Sequence, residues 1–206
     1  MARTAQQQDK PDPLPLAWFN RCPVEVARDL IGTRLCKREA DGTISRWLVT
    51  ETEAYNGAED KACHASKGHT DRTSVLFGPQ GRWYVYLCYG VHWMLNIVTR
   101  EEGFPSAVLF RGISGLEPGQ GFDGPGKLTK QLGIDKSFNK QLAQPASDLW
   151  LEPALRVIPD RELHIGPRIG IDYAGSEWVA KPWRFLWLPE FLQKELNKAP
   201  KKLAGR

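Results

Sequence analysis

The chain has 206 residues, 41% hydrophobic and 25% charged, with a formal net charge of +4. Those values fit one globular domain with a substantial core, and the mild basicity is compatible with a polyanionic partner without demanding one. No apolar run approaches the ~18 residues that a helix needs to cross a bilayer, which excludes a helical membrane protein. Cys22, Cys36, Cys63 and Cys88 form no C-x-x-C pair, and no signal-peptide hydrophobic region precedes them. Free thiols in a reducing, cytoplasmic setting are the expectation.

Residues 1–15 lack periodicity and read as a disordered lead-in to a domain over 16–192. Pro23 opens a short helix in which Val24, Ala27, Leu30 and Ile31 recur at helical spacing, and Gly32 suits its end. Two strands, 34–37 and 44–52, flank an Asp41-Gly42 hairpin turn. The polar, Gly-containing stretch 56–81 is long for a loop in a compact domain, and such loops are usually functional. Residues 82–89, 92–100 and 106–112 read as three further strands, with Tyr89-Gly90 at the tight turn between the first two. A Gly- and Pro-rich loop spans 114–126, a short helix 127–132, and a strand–turn–strand unit 165–188. The segment 193–206 reads as a basic, frayed tail. Strands joined mostly by turns predict a single α+β domain around a curved, mainly antiparallel sheet, with short helices and a protruding hairpin.

Alternation along a strand places Glu51 and Glu53 on one face, where carboxylates are costly to bury unless a cation or a function compensates. Glu53 reads either as a general base beside Tyr55 or as a strand-end carboxylate paired with Arg46 or Arg111. The two glutamates would lie roughly 6.5 Å apart along the strand, near the separation of an inverting glycosidase pair. Tyr84 reads as core. Tyr89, at a hairpin apex, is exposed, and an exposed aromatic at such a tip can wedge between bases. Tyr55, Tyr86 and His64 could sandwich a flat heterocycle. Asn96 and Arg111 lie on neighbouring strands; an Asn can read base edges through its donor and acceptor or equally satisfy backbone, and taken alone each residue favours a structural role.

Two motifs are rejected. Gly121 to Lys127 fits G-x-x-x-x-G-K, but Leu128 stands where a nucleotide-binding loop needs Ser or Thr. The Gly-Pro-Gly turn could still offer backbone N–H groups to a phosphate. His64, His69, His92 and His164 lack metal-ligand spacing with the cysteines, so neither metal nor cofactor is expected.

The chain resembles the alkyladenine (3-methyladenine) DNA glycosylase family. The resemblance is carried by Val49 to Asp60 (VTETEAYNGAED), Cys63 to Ser66 (CHAS), and Gly81 to Asn96 (GRWYVYLCYGVHWMLN). It continues through Ala107 to Arg111 (AVLFR), Gly124 to Leu128 (GPGKL) with Lys136 to Phe138, and Arg168 to Ile171 leading to Lys181 to Phe185, spanning roughly residues 20–188 in order. The resemblance implies excision of alkylated, and also deaminated, purines from duplex DNA. It implies Glu53 as the water-activating base, Arg111 as its orienting partner, Tyr55, His64 and Tyr86 as pocket walls, Asn96 beneath the base's minor-groove edge, and Tyr89 as the residue filling the gap in the duplex. Leu76 stands where the family pattern leads one to expect Met, and Phe110 and Trp93 are departures expected to reshape the pocket edge.

The resulting expectation is a monomeric, monofunctional glycosylase acting on double-stranded DNA. Arg72, Arg82, Lys127 and Lys136 are candidate phosphate contacts, although basic loop residues are commonly just solvated. The rivals are a bifunctional glycosylase-lyase using Lys61 or Lys67, a carbohydrate glycosidase using Glu51 with Glu53, and a non-catalytic module binding damaged DNA.

Overall fold

In the computed structural model, which describes residues 11–115 and 120–188, the 13-residue strand β2 (Ile44–Asn56) organises the chain. From Leu48 to Ala54 it is buried without interruption. Both faces are therefore covered, although four consecutive residues, Thr50 to Glu53, are polar. On one face lies helix α1 (Pro23–Leu30), which buries Val26, Ala27 and Leu30 and starts with proline at a position that tolerates its missing N–H. Thr52 on that face donates its hydroxyl to the Ala27 carbonyl at 2.7 Å, which satisfies a polar group buried beneath the helix.

Around β2 the described residues build one nine-stranded antiparallel sheet. Strand β1 (Arg34–Arg38) pairs with the first part of β2, and β5 (Ser106–Ser114) runs along its other edge. Beyond β5 follow β4 (His92–Val98) and β3 (Trp83–Cys88). Three-residue β6 (Gly121–Asp123) also pairs with β5, while β7 (Leu149–Glu152) lies outside β1. The distal half of β2 pairs with β9 (Arg184–Trp187), which β8 (Leu163–Gly166) extends. Helix α2 (Pro125–Gln131) packs on β4 and β5, and α3 (Ser176–Val179) occupies the connection read as a turn between the last two strands.

The register between β2 and β5 slips twice. Thr50 is extra on β2, and Arg111 is extra on β5 between the pairs Glu51↔Gly112 and Thr52↔Phe110. Such bulges bend a strand and re-aim a side chain. Gly112 makes the close approach possible: a Cβ there would come within 2.8 Å of the Thr50 hydroxyl and 3.0 Å of Glu51 Cβ.

Several elements differ from the sequence reading. Residues 11–15 are not a disordered lead-in: Leu14 is buried, and its N–H donates to the Leu151 carbonyl at 2.8 Å. The rest of that segment, 1–10, and the tail read over 193–206 lie outside the described residues. The Gly-rich loop contributes β6. Because β6 runs antiparallel to β5, the G-x-x-x-x-G-K stretch lacks the parallel strand that a nucleotide loop requires. No helix among the described residues is long and apolar enough to cross a membrane.

Candidate active site

The distal end of β2 carries Glu53 and Tyr55 on the face away from α1. The loop after it, 57–81, folds back and buries its own small apolar cluster, including Cys63, Ala65, Val75 and Leu76, against Tyr84. The loop thereby becomes a wall rather than a flap. The open cavity beside it measures about 560 Å³, within the usual range for small-ligand sites. Its lining includes Tyr55, His64, Arg72, Tyr86, Tyr89, Asn96 and Arg111, so most of the site residues read from sequence converge.

Glu53 is fully buried and lies just behind this surface. Three lining residues reach it. The Ile169 N–H donates to Oε1 at 2.8 Å, the Tyr55 hydroxyl donates to Oε2 at 2.8 Å, and Arg111 Nε stands 3.3 Å from Oε1. Burial raises the Glu53 pKa; Arg111, the Ile169 amide and the Tyr55 hydroxyl pull it back without cancelling that rise. A carboxylate so placed is a stronger base than one in water. Of the two candidate cations, Arg111 is the partner, whereas Arg46 pairs with Glu152.

Glu51 shares the Arg111 Nε at 3.2 Å and also accepts from Arg184 Nη1 at 3.0 Å, both on Oε1. The bulge at Arg111 is what lets one guanidinium reach both carboxylates. With two cations on it, Glu51 serves as an anchor for Arg111 and not as a free second acid.

The aromatic wall differs from a simple sandwich. His64 and Tyr86 are in edge contact, with centroids 4.6 Å apart at 66°, and Tyr84 lies 5.1 Å from Tyr86. These three rings form one continuous surface. Tyr84, read as core, is indeed buried, yet it also lines the cavity, and its hydroxyl lies 2.9 Å from His64 Nδ1. Burial, reinforced by the charges of Arg72 and Lys67, pushes the His64 pKa down to about 4, so its imidazole is neutral at physiological pH. Asn96 donates Nδ2 to the Tyr84 carbonyl at 3.0 Å, the backbone-satisfying role, while still lining the cavity. Burial pushes the Cys63 thiol up to about 12, which removes it as a nucleophile.

At the mouth, Tyr89 is 95% exposed on the apex of the β3–β4 hairpin. Both Tyr89 (φ 50°) and Gly90 (φ 70°) are left-handed, and the Val91 N–H closes the turn on the Cys88 carbonyl at 3.0 Å. Glycine accepts that backbone readily, whereas tyrosine is strained in it. Tyr173 and Ile169 line the cavity too, both partly exposed; neither was assigned a role from sequence.

The basic candidates separate. Arg72 is exposed and also lines the cavity, its guanidinium carbon 4.9 Å from the Tyr86 ring centroid. Arg82 donates to the Lys140 carbonyl beside a second, smaller depression. Lys127 pairs with Asp123 at 2.7 Å, and Lys136 is exposed on a 3-10 turn. Phe110 is fully buried in the main core and Trp93 packs against that core, so neither shapes the cavity edge; Leu76 does line it. Among the described residues no three His, Cys, Asp or Glu side chains converge as metal ligands do.

Residues 17–190 match the family model for methylpurine-DNA glycosylase. A protein of Myxococcus xanthus, provisionally named a 3-methyladenine DNA glycosylase, is 44% identical over 191 residues, covering 91% of this chain and 94% of its own length. Proteins given the same provisional name from Methanocella arvoryzae and Wolbachia pipientis are 40% and 43% identical; each alignment covers 84% of this chain, with 90% and 89% of the relatives' lengths. The chain belongs to the methylpurine-DNA glycosylase family, enzymes that hydrolyse N-glycosyl bonds in DNA.

Proposed function

We propose, with that membership as premise, that the chain is a monofunctional glycosylase for damaged purines in duplex DNA. The single observation that carries the reading is Glu53: a fully buried carboxylate with a raised pKa, held by three residues that line an aromatic cavity. Oε1 is occupied by the Ile169 amide and Arg111, so Oε2, beside the Tyr55 hydroxyl, is the oxygen with capacity left for water.

The glycosidic bond of a stacked nucleotide is inaccessible, so the lesion is swung out of the helix at a cost of a few kcal/mol. Tyr89, already exposed and projecting, offsets part of that cost by stacking in the gap. The extruded purine lies against the His64–Tyr86 wall. Water then forms the bond to the anomeric carbon as the carbon–nitrogen bond breaks with its electrons leaving on the base, and Glu53 takes the water's proton. A purine alkylated on a ring nitrogen is cationic and departs neutral. A deaminated purine departs as an anion unless protonated, so it is the slower class.

The test is release of free base, read by chromatography, from duplexes carrying one hypoxanthine or ethenoadenine and from methylated DNA containing 3-methyladenine. Release from none of them defeats the proposal. Lys61 and Lys67 also line the cavity, so borohydride is added in a parallel reaction: a trapped covalent adduct would replace direct water attack by an amine mechanism.

A further inference from the structure

Behind the cavity lies a charged pair to which neither the reaction nor the sequence reading gave a role. The side chains of Asp60 and Arg168 are both completely buried. Arg168 Nη1 donates to Asp60 Oδ2 at 2.6 Å and Nη2 donates to Oδ1 at 2.9 Å, a two-pronged contact that fixes orientation as well as distance. Nη1 also donates to the Ala54 carbonyl at 3.0 Å. The guanidinium carbon lies 4.9 Å from the Tyr55 ring centroid and 4.9 Å from that of Trp183. Asp60 in turn accepts the N–H groups of Asn56 and Ala62, each at 3.1 Å. One pair thus ties the end of β2, the start of the long loop and the 167–170 segment together.

Stability alone is a poor account of this arrangement. A buried ion pair roughly breaks even against apolar side chains of the same shape. Arg168 Nε, moreover, is buried and makes no hydrogen bond among the described residues. What the pair does secure is geometry. Its neighbours in sequence and in space are the two neutral donors to Glu53: the Ile169 amide follows Arg168 directly, and the Tyr55 ring rests on the guanidinium. A second clamp acts on the same segment, where Arg184 Nε donates to the Pro167 carbonyl at 2.9 Å and its Nη1 to Glu51.

We propose that the Asp60–Arg168 pair is the positioning device for the general base, holding the Ile169 N–H on one oxygen of Glu53 and the Tyr55 hydroxyl on the other. The inference deepens the glycosylase reading and rests on it. Arg168 touches no substrate; it acts through two groups that do meet the carboxylate. Both donors favour the ionised form of Glu53, so loosening them raises the carboxyl's titration point further. A merely structural pair, once removed, lowers stability without moving that point.

The experiment compares the full-length wild type with Asp60→Asn/Arg168→Met and with Arg168→Lys. The double variant removes both charges at once and keeps an acceptor for one of the two N–H groups, Asn56 or Ala62, whereas the single variant keeps the charge and loses the fork. For the double variant, cooperative melting and binding to an ethenoadenine duplex within about 3-fold of wild type are expected, because the cavity walls remain. Its single-turnover base release at neutral pH should fall ~10- to 100-fold, with the ascending pH limb moved up by about one unit. Arg168→Lys should move the limb in the same direction by less. Glu53 is also titrated directly through its ¹³C-labelled carboxyl carbon in wild type and Arg168→Lys, a reading independent of turnover. Unmoved limbs and an unmoved carboxyl titration in a folded variant overturn the inference. If the double variant does not melt cooperatively, Arg168→Lys decides on the same two readings. Failure of the wild type to release any base sinks the functional proposal instead, and the carboxyl titration still decides whether the pair controls Glu53.

Discussion

Two buried glutamates, one on the interior strand β2 and one on the outer strand β7, show what separates a supporting carboxylate from a reactive one. Glu152, on β7, is 2% exposed and Glu53 is 0% exposed. Glu152 nevertheless meets two guanidiniums, Arg46 Nε at 3.0 Å and Arg34 Nη2 at 3.3 Å, with the Trp150 indole N–H adding a third donor at 3.1 Å. Burial alone pushes its pKa upward, but Arg46 and Trp150 outweigh that, and the carboxyl is held below the ordinary glutamate range. Glu53 shares its one guanidinium with Glu51, burial prevails, and its pKa is raised. Burial that outweighs one shared cation at Glu53, and is outweighed by the donors around Glu152, thus yields one poised base and one fixed charge. Only the poised one abuts a cavity.

The largest expected effect comes from exchanging each acid for its amide. Glu53→Gln should lower single-turnover base release by about 10³-fold while lesion binding persists. It should also melt no lower than wild type at neutral pH. A raised folded-state pKa means that ionising Glu53 costs the fold stability: the favourable balance is complete below the unfolded value, about 4.3, and is lost as pH rises through the folded one. Any melting advantage of the amide therefore closes as the pH is lowered towards 4. Turnover retained by Glu53→Gln would end the contrast.

Glu152→Gln should do the opposite. Removing the buried charge that faces Arg34 and Arg46 should destabilise the fold by about 3 kcal/mol, with base release per folded molecule unchanged. Because the Glu152 pKa is depressed, its contribution is present above the unfolded value and is lost as pH falls through the folded one. The gap between wild type and variant in melting should thus be full at neutral pH and close in acid. Calorimetry across that range checks the sign, and a gap that widens in acid would contradict it.

The same contrast marks where the sequence was legible. The strand-like run over 44–52 and the tyrosine-rich hairpin place β2 to β5 and bring Tyr55, Tyr86, Asn96 and Arg111 to one cavity, with Glu53 just behind its surface. What it hid is non-local. The Arg111 bulge depends on the closeness of two backbones at Gly112, and the burial of Glu53 depends on a loop more than a hundred residues downstream. Asp60, Arg168 and Ile169 stand in motifs that matched the family, yet nothing in local spacing assigns them a role, because their partnership spans 108 residues. A charged residue inside a motif that names no chemistry for it is the one signal that could have pointed there.

A smaller effect is expected at the hairpin. Truncating Tyr89→Ala removes the stacking that offsets extrusion, which is worth ~1–3 kcal/mol per aromatic contact, so lesion binding should weaken about 10-fold. The Glu53 pH limb should stay in place, because the groups that hold the carboxylate, Ile169, Tyr55 and Arg111, lie outside the apex. A shifted limb would show that the apex and the base are coupled, and would blur the separation between binding and chemistry.

The smallest effect tests the apex by itself. Tyr89 sits at φ 50°, a conformation that asparagine tolerates far better than an aromatic residue. Its ring is 95% exposed, so replacing it forfeits almost no packing. Tyr89→Asn should accordingly stabilise the free protein by about 0.5–1 kcal/mol, near 2 °C in melting temperature for a chain of this size. The same variant should bind a lesion duplex as poorly as Tyr89→Ala. A gain in stability coupled to a loss in binding is the mark of strain kept for a partner absent from the free molecule. If Tyr89→Asn instead melts lower, the turn requires the tyrosine for its own folding, and its exposure has no bearing on DNA.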